Sequence, residues 1–119
     1  MKCYAFDVDE TLECSFLPGP VTLASCVELR QQGHILGLCG NWAMVTQRVG
    51  GWHTLFSFLG PVGLSKAQFL REQLAQFVPC DEVVMVGNCK GGLSPDDEQA
   101  AKEAGVRFIK ESDFAAGAR

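Results

Sequence analysis

The sequence predicts an α/β fold, in which a mainly parallel, Rossmann-like sheet lies between two layers of helices as a three-layer α/β/α sandwich. Three observations predict it. Apolar segments of strand length alternate with segments of helical pattern, several predicted strands end in glycine or polar residues, and no repeat or linker interrupts the series. Because parallel strands are joined by crossover connections that are usually helical, this alternation favours one domain over residues 1–119.

The first half of the chain predicts two strands and two helices. A strand leads into Asp7, and Thr22 is placed to cap a helix that Gly33 ends. The inward face of this helix is expected to carry Leu23, Cys26 and Val27. Residues 34–39 predict a buried strand, and residues 42–51 predict a helix.

The second half continues the alternation. Residues 54–59 are a short β-prone run, and Ser65 is expected to cap a helix that Pro79 ends. The apolar face of this helix is expected to carry Leu70, Leu74 and Phe77. Residues 82–87 are the clearest buried strand in the chain, because six residues of this run contain three valines and a methionine.

The last part of the chain predicts one more helix and one more strand. The helix starts at Ser94-Pro95 and ends at Gly105, and residues 106–109 form the final strand. Its inward face is expected to carry Ala100, Ala101 and Ala104. Parallel strands deliver their carboxyl ends to the same edge of a sheet, so we expect one cluster there of Asp7, Gly40, Asn41 and Asn88.

Composition and charge narrow the class of partner. The chain has 10 basic and 14 acidic residues and a net charge of -4. This balance offers no general electrostatic attraction for nucleic acid or for an anionic membrane. We therefore expect a small-molecule or protein substrate, with no nucleic acid and no membrane as partner.

The cysteines and the start of the chain indicate the compartment. The six cysteines are spread along the sequence without a Cys-x-x-Cys pair and lie mostly within apolar segments, which favours free buried or half-buried thiols in a reducing cytosol. Asp7 interrupts the first apolar run before a signal peptide can form, and no segment approaches the length of a membrane span. The sequence therefore predicts a soluble, cytoplasmic protein.

Two aspartates one residue apart, Asp7 and Asp9, end the first predicted strand, and Thr11 follows them. Two partly desolvated carboxylates side by side cost free energy unless a cation or a reacting group compensates them. The pattern therefore predicts a metal site at the edge of the sheet.

The chain resembles the haloacid dehalogenase-like superfamily, in particular its phosphatase branch, and the resemblance covers nearly the whole length. Four segments carry it in order: Asp7-Val8-Asp9-Glu10-Thr11, Leu38-Cys39-Gly40-Asn41, Lys66, and Val86-Gly87-Asn88 followed by Ser94 to Ala101. The first and the last of these segments are specific, whereas the middle two are weak on their own.

The resemblance implies a role for each matching residue. Asp7 would be the nucleophile that forms an aspartyl-phosphate, and Asp9 would act as general acid and base. The Asp7 carboxylate and the main-chain carbonyl of Asp9 would hold Mg²⁺. Lys66 would neutralise phosphoryl oxygens and the charge of Asp7, and Thr11 would orient the loop next to the substrate.

The sequence departs from the family pattern at two positions. Gly40 stands where the family usually has a serine or threonine, so a main-chain N–H or the Asn41 amide would have to donate to the phosphate. Asn88 stands where the family usually has an acidic metal ligand, and a neutral amide lowers the affinity for a hard cation. Asp97, or less favourably Asp96, falls at a second acidic position that would reach the metal through water.

The segments that hold a cap domain in many relatives are short here. Only a few residues separate Leu12 from Pro18, and the segment between Asn41 and Lys66 is too short for an independent domain. The resemblance therefore implies a capless protein. Its expected partner is a phosphorylated small molecule or macromolecule, and an open site also suits a homo-oligomer whose neighbouring subunit closes the pocket.

Other functions stay open at this stage. A Mg²⁺-dependent phosphomonoester hydrolase is the leading hypothesis, and a domain of the same family that has lost turnover and binds a phosphorylated ligand or a protein is the second. A receiver-type signalling domain also pairs acids at its first strand. That class needs a phospho-acceptor aspartate at a central strand end, and residues 39–41 supply none.

Single residues also have plainer interpretations. Lys66 could also be an ordinary solvated lysine at the start of a helix. Asn88 could serve only to cap a turn. The acids at 96–97 could simply interact with the dipole of the helix that they begin. His34 is expected to be structural. Four more side chains near the predicted site are more often packing than recognition residues: Trp42, Arg48, Trp52 and His53.

Overall fold

The structure is a computed structural model, which describes residues 1–61, 66–74, 76, 79–89 and 96–119. These residues contain a five-stranded sheet in which every pair of neighbouring strands is parallel. The strands are β1 (Lys2–Phe6), β2 (Ile35–Cys39), β3 (Phe58–Gly60), β4 (Glu82–Gly87) and β5 (Arg107–Lys110). Their spatial order is β3-β2-β1-β4-β5. The predicted α/β class with a parallel, Rossmann-like sheet is therefore confirmed.

Helices separate the strands along the chain. They are α1 (Leu23–Gln31), α2 (Trp42–Arg48), α3 (Trp52–Leu55), α4 (Lys66–Gln68, continued by π-helical turns over Phe69–Leu74), α5 (Asp97–Ala104) and α6 (Glu111–Ala115). As predicted, Thr22 caps α1, because its side chain accepts a hydrogen bond from the main-chain N–H of Ser25. None of the helices in the described parts of the chain is long and apolar enough to cross a bilayer.

Apolar residues on the two faces of the central strand belong to two separate clusters. Tyr4 and Phe6 of β1 pack in one cluster, together with Cys26, Leu29 and Phe114. Cys3 and Ala5 belong to the other cluster, together with Leu70, Leu74 and Ala101. Successive side chains of a strand point to opposite faces, so β1 contributes to both clusters. This double burial explains why β1 is almost entirely apolar.

The structure corrects several details of the helical predictions. Val27 is 43% exposed, so its predicted place on the inward face of α1 is wrong. Leu29, three residues after Cys26, is buried instead, because residues three apart lie on the same face of a helix. Residues 54–59 do not form one β-prone run, since α3 ends at Leu55 and the strand starts at Phe58.

In the described residues α5 begins at Asp97. Asp96 caps this helix, and its side chain accepts from the main-chain N–H of Gln99. Gly105 ends the helix in the left-handed region (φ 72°), as predicted. The predicted starts at Ser65 and at Ser94-Pro95, and the predicted apolar position Phe77, lie outside the described residues. The final short helix α6 was not predicted.

All six cysteines lie in the described residues and are free thiols; five are buried or half-buried as predicted, but Cys89 is exposed. Burial raises the pKa of the thiols of Cys3, Cys26 and Cys39 to about 12. These three thiols are therefore protonated and poorly nucleophilic near neutral pH.

Candidate active site at the carboxyl edge of the sheet

The site lies where two neighbouring strands end. Asp7 follows β1 and Asn88 follows β4, and these strands pair in parallel with Phe6 opposite Val86. The main-chain N–H of Asp7 donates to the carbonyl of Val86 (2.8 Å), so the pairing continues to the first residue of the site. The strand order reverses direction between β1 and β4, and crevices at such points are where open α/β sheets bind ligands.

Three side chains hold the carboxylate of Asp7, which is 9% exposed. Its Oδ1 accepts from Nζ of Lys66 (3.2 Å). Its Oδ2 accepts from Nδ2 of Asn88 (2.8 Å) and from Oγ1 of Thr11 (3.1 Å). Thr11 is fully buried, so it supports Asp7 from behind. The carboxylate is thus fixed in one orientation at the edge of the sheet.

Lys66 joins Asp7 to a second carboxylate. Its Nζ lies 2.6 Å from Oδ1 of Asp97, and Oδ2 of Asp97 accepts from the main-chain N–H of Asn88 (3.1 Å). Asp97 can approach this closely because residue 87 is glycine: a Cβ on Gly87 would lie 2.4 Å from Oδ2 of Asp97. The lysine is therefore a buried part of the site and not a solvated helix residue.

The charges of Asp7, Lys66 and Asp97 lie close together, and their interactions shift the pKa of Asp7 and of Lys66. Burial raises the pKa of the Asp7 carboxyl to about 6, while the Lys66 ammonium lowers it and the Asp97 carboxylate raises it further. Burial lowers the pKa of Lys66, but the carboxylates of Asp7 and Asp97 outweigh this effect and raise it above its ordinary value. The Lys66 ammonium thus favours the ionised form of Asp7, whereas burial and the Asp97 carboxylate oppose it.

The carboxylate of Asp9 has its own two partners. Oδ1 accepts from the hydroxyl of Ser15 (2.6 Å), and Oδ2 accepts from Nδ2 of Asn41 (3.4 Å). Ser15 is 3% exposed, although it lies in a loop. Its role was not predicted, because a serine six residues after an aspartate carries no recognisable sequence signal. Only closure of the loop brings it back to Asp9.

A sharp turn after Asp9 produces this closure. Glu10 has φ 59°, in the left-handed region that residues other than glycine seldom adopt. Its main-chain N–H donates to the carbonyl of Leu17 (2.6 Å), and the N–H of Val21 donates to the carbonyl of Thr11 (2.9 Å). The chain therefore leaves the line of β1 directly after Asp9 and folds back over the edge of the sheet.

Gly40 allows a second close approach. A Cβ on this residue would lie 2.8 Å from Oδ1 of Asp7 and 3.2 Å from the main-chain nitrogen of Val8. The Asp7 carboxylate thus occupies the space that a serine or threonine side chain would need.

The site contains two oxygens that suit a hard cation. Oδ2 of Asp7 and the main-chain carbonyl of Asp9 both accept from Nδ2 of Asn88, at 2.8 and 3.1 Å, so they face a common point. Carboxylate and carbonyl oxygens at one point fit Mg²⁺, with water as the usual further ligand. Asn88 would have to present its amide oxygen in place of its nitrogen. Asp97 lies behind Lys66, with one oxygen on the lysine and the other on a main-chain N–H.

The acidic donors available are few. Within the described ranges, no group of three or more His, Cys, Asp or Glu side chains is arranged to hold a metal ion. The donors named above, one carboxylate, one carbonyl and one amide, carry little charge, which lowers the affinity for a hard cation.

The other predicted border residues divide into two groups. Trp52 is half-buried and packs against the core cluster of Tyr4 and Phe6. Arg48 and His53 are exposed, and Trp42 is exposed directly after Asn41. Trp42 is therefore the one of these four that directly follows a residue bonded to Asp9.

Comparisons with protein-family models, with curated proteins and with solved structures found no significant match.

Proposed function

We propose that this protein is a Mg²⁺-dependent phosphomonoester hydrolase of the haloacid dehalogenase-like type, with a three-layer sandwich and no cap domain, acting through an aspartyl-phosphate. One observation carries the proposal. A buried carboxylate, Asp7, is paired with a buried ammonium, Lys66, and a second carboxylate, Asp9, is held separately two residues away. This arrangement provides a nucleophile, a charge-stabilising cation and an acid–base group at one edge.

In the first step, a carboxylate oxygen of Asp7 attacks phosphorus, and the bond from phosphorus to the leaving oxygen breaks. We assign the attack to Oδ1, because Oδ2 already accepts two hydrogen bonds. Asp9, in its protonated form, gives its proton to the leaving oxygen, and the alcohol departs. Lys66 stabilises the negative charge on the phosphoryl oxygens, as phosphoryl transfer requires.

In the second step, Asp9 accepts a proton from a water molecule as the water oxygen attacks phosphorus. The bond between phosphorus and Asp7 breaks, which releases inorganic phosphate and restores the carboxylate. Mg²⁺, held by Asp7 and the Asp9 carbonyl, would supply further stabilisation of the phosphoryl charge. With no hydroxyl at Gly40, a main-chain N–H or the amide of Asn41 serves as phosphate donor.

A screen of phosphomonoesters with purified protein and Mg²⁺ tests this proposal. Phosphate release should be measurable for the wild type and should fall to background in Asp7→Asn, which keeps the shape of the side chain but removes the nucleophile. The matched control is Asp113→Asn, because Asp113 is exposed on α6. Equal turnover in the wild type and Asp7→Asn contradicts the proposal.

A second candidate function is a domain that binds a phosphorylated ligand without turnover. The amide of Asn88 favours it, because this group donates a hydrogen bond to Asp7 where an acidic ligand would add charge. Asn88→Asp separates the two functions. In a working enzyme it should tighten Mg²⁺ binding, measured by calorimetry, and preserve or raise turnover at low Mg²⁺. In a binding domain it should raise Mg²⁺ affinity without producing turnover.

A further inference from the structure

Two exposed aromatic side chains directly follow the two residues that hold Asp9. Ser15 bonds one oxygen of the Asp9 carboxylate and Asn41 bonds the other. Phe16, next to Ser15, is 66% exposed, and Trp42, next to Asn41, is 39% exposed. Consecutive Cα atoms are about 3.8 Å apart, so both aromatic residues lie one residue away from a direct partner of Asp9.

Several exposed apolar residues belong to the two segments whose residues bond Asp9. The large hydrophobic residues that are exposed in the described parts of the chain are Met1, Phe16, Leu17, Val27 and Trp42. Three of these five belong to the two segments beside Asp9. Single exposed apolar residues need no explanation, but these three lie within two residues of a side chain that bonds Asp9.

Both segments are held by main-chain hydrogen bonds. The carbonyl of Leu17 accepts from the N–H of Glu10 (2.6 Å), which ties the tip of the loop to the turn after Asp9. The N–H of Trp42 donates to the carbonyl of Gly40 (2.8 Å) at the start of α2. The aromatic residues are therefore attached to fixed backbone, which lowers the entropy lost when a ligand packs against them.

The proposed reaction determines which part of a substrate would lie beside these aromatic residues. A general acid must lie within hydrogen-bond distance of the leaving oxygen, so the leaving group of the substrate lies beside Asp9. We propose that the site takes phosphomonoesters of alcohols that carry an aromatic ring, and that this ring packs on Phe16, Leu17 and Trp42. This inference rests on the proposed function, since it uses Asp9 to place the leaving group.

The test compares two substrates that differ only in the ring: ethyl phosphate and 2-phenylethyl phosphate. Both release simple alkyl alcohols, so their demand for a proton is the same and a difference reports contacts with the ring. The wild type should prefer the phenylethyl ester in kcat/KM by about tenfold or more. Phe16→Ser and Trp42→Ser should each reduce that preference, mainly through KM.

Val27→Ser is the matched control, because Val27 is exposed on α1 and is not part of the surface beside Asp9. It should retain the wild-type preference. Thermal unfolding of each variant checks that the exposed substitutions leave the fold intact. Equal kcat/KM for the two esters in the wild type would overturn the inference while leaving the proposed hydrolysis in place.

A binding measurement keeps the two proposals separate. Calorimetry on Asp7→Asn, which is expected to bind without turnover, should show tighter binding of the phenylethyl ester and a loss of this difference when Phe16→Ser is added. Such a result together with no hydrolysis by the wild type contradicts the proposed function but supports the aromatic subsite. Equal affinity for both esters overturns the subsite. A third outcome is that the wild type shows no ester preference and sediments as a dimer that Phe16→Ser dissociates. This result would assign the surface to contact with a second copy of the chain and would also overturn the aromatic subsite.

Discussion

The buried hydroxyl of Ser15 donates a hydrogen bond to Oδ1 of Asp9 over 2.6 Å. Ser15 thus holds the carboxylate through Oδ1 and leaves Oδ2 for a second partner. That oxygen accepts only a long bond, 3.4 Å, from the exposed residue Asn41. In the proposed mechanism Ser15 would be a positioning residue, which holds Asp9 by one oxygen so that the other can act on the leaving group.

Ser15→Ala should lower kcat for alkyl phosphates by about tenfold or more and leave kcat for 4-nitrophenyl phosphate nearly unchanged, because an activated leaving group needs little protonation. Steady-state kinetics on the two substrate types measures this. Ser25→Ala is the control, since it removes an exposed hydroxyl from α1. Ser15→Thr, which keeps a hydroxyl, should recover part of the alkyl activity. Equal losses on both substrates would contradict the positioning role.

Lys66→Met should destabilise the protein by about 3–5 kcal/mol, because it leaves the buried carboxylates of Asp7 and Asp97 without their cation. Urea unfolding near neutral pH measures the loss. Adding Asp97→Asn should recover part of it, since one uncompensated charge is then removed. The control is Lys102→Met on the exposed side of α5, which should change the free energy of unfolding by less than about 0.5 kcal/mol. A small effect of Lys66→Met would show that the buried pair is not formed.

Gly40→Ala should displace the Asp7 carboxylate, because the added Cβ would lie 2.8 Å from its Oδ1. We expect a loss of about 1–3 kcal/mol in stability and a fall in turnover. Gly50→Ala is the matched control, since a Cβ there meets nothing within 4 Å and should be tolerated. Wild-type stability and turnover in Gly40→Ala would contradict the close packing of Asp7 on Gly40.

The free energy of unfolding should decrease as the pH is lowered, because His34 becomes protonated. Burial lowers the pKa of His34, and the N-terminal ammonium and Lys2 lower it further. The folded state thus favours the neutral ring, whose Nδ1 accepts from the main-chain N–H of Lys2 (3.1 Å). This contribution is present above the unfolded pKa of about 6.5 and is lost as pH falls through the lower folded value.

Urea unfolding between about pH 7.5 and 5 compares the wild type with His34→Gln and His53→Gln. His34→Gln should lose part of the decline in stability on acidification. His53→Gln, a change of an exposed histidine, should retain it. Parallel pH curves for the wild type and His34→Gln would contradict the prediction.

Most of the strands could be predicted because their signals are local. The apolar runs that end at Asp7 and Asn88 are dense enough to identify buried strands, and parallel pairing then brings these residues to one edge. The segment before the edge strand β3 was harder to predict, because residues 54–55 belong to α3 although their composition favours a strand. The β propensity of these two residues is weak, and the packing of Trp52, which is half-buried against the core, favours a helix instead.

The sequence by itself determined the α/β class and the meeting of Asp7, Asn41 and Asn88 at the carboxyl edge, because the strand signals are local and parallel strands end at the same edge. Only the tertiary structure decided what those residues do to one another. The bond from Ser15 to Asp9, the approach of Gly40 to Asp7 and the donation by Asn88 to Asp7 join positions whose distance depends on loop closure and strand pairing. Such contacts leave no periodic pattern in the chain, since they are formed by single side chains once the backbone has folded.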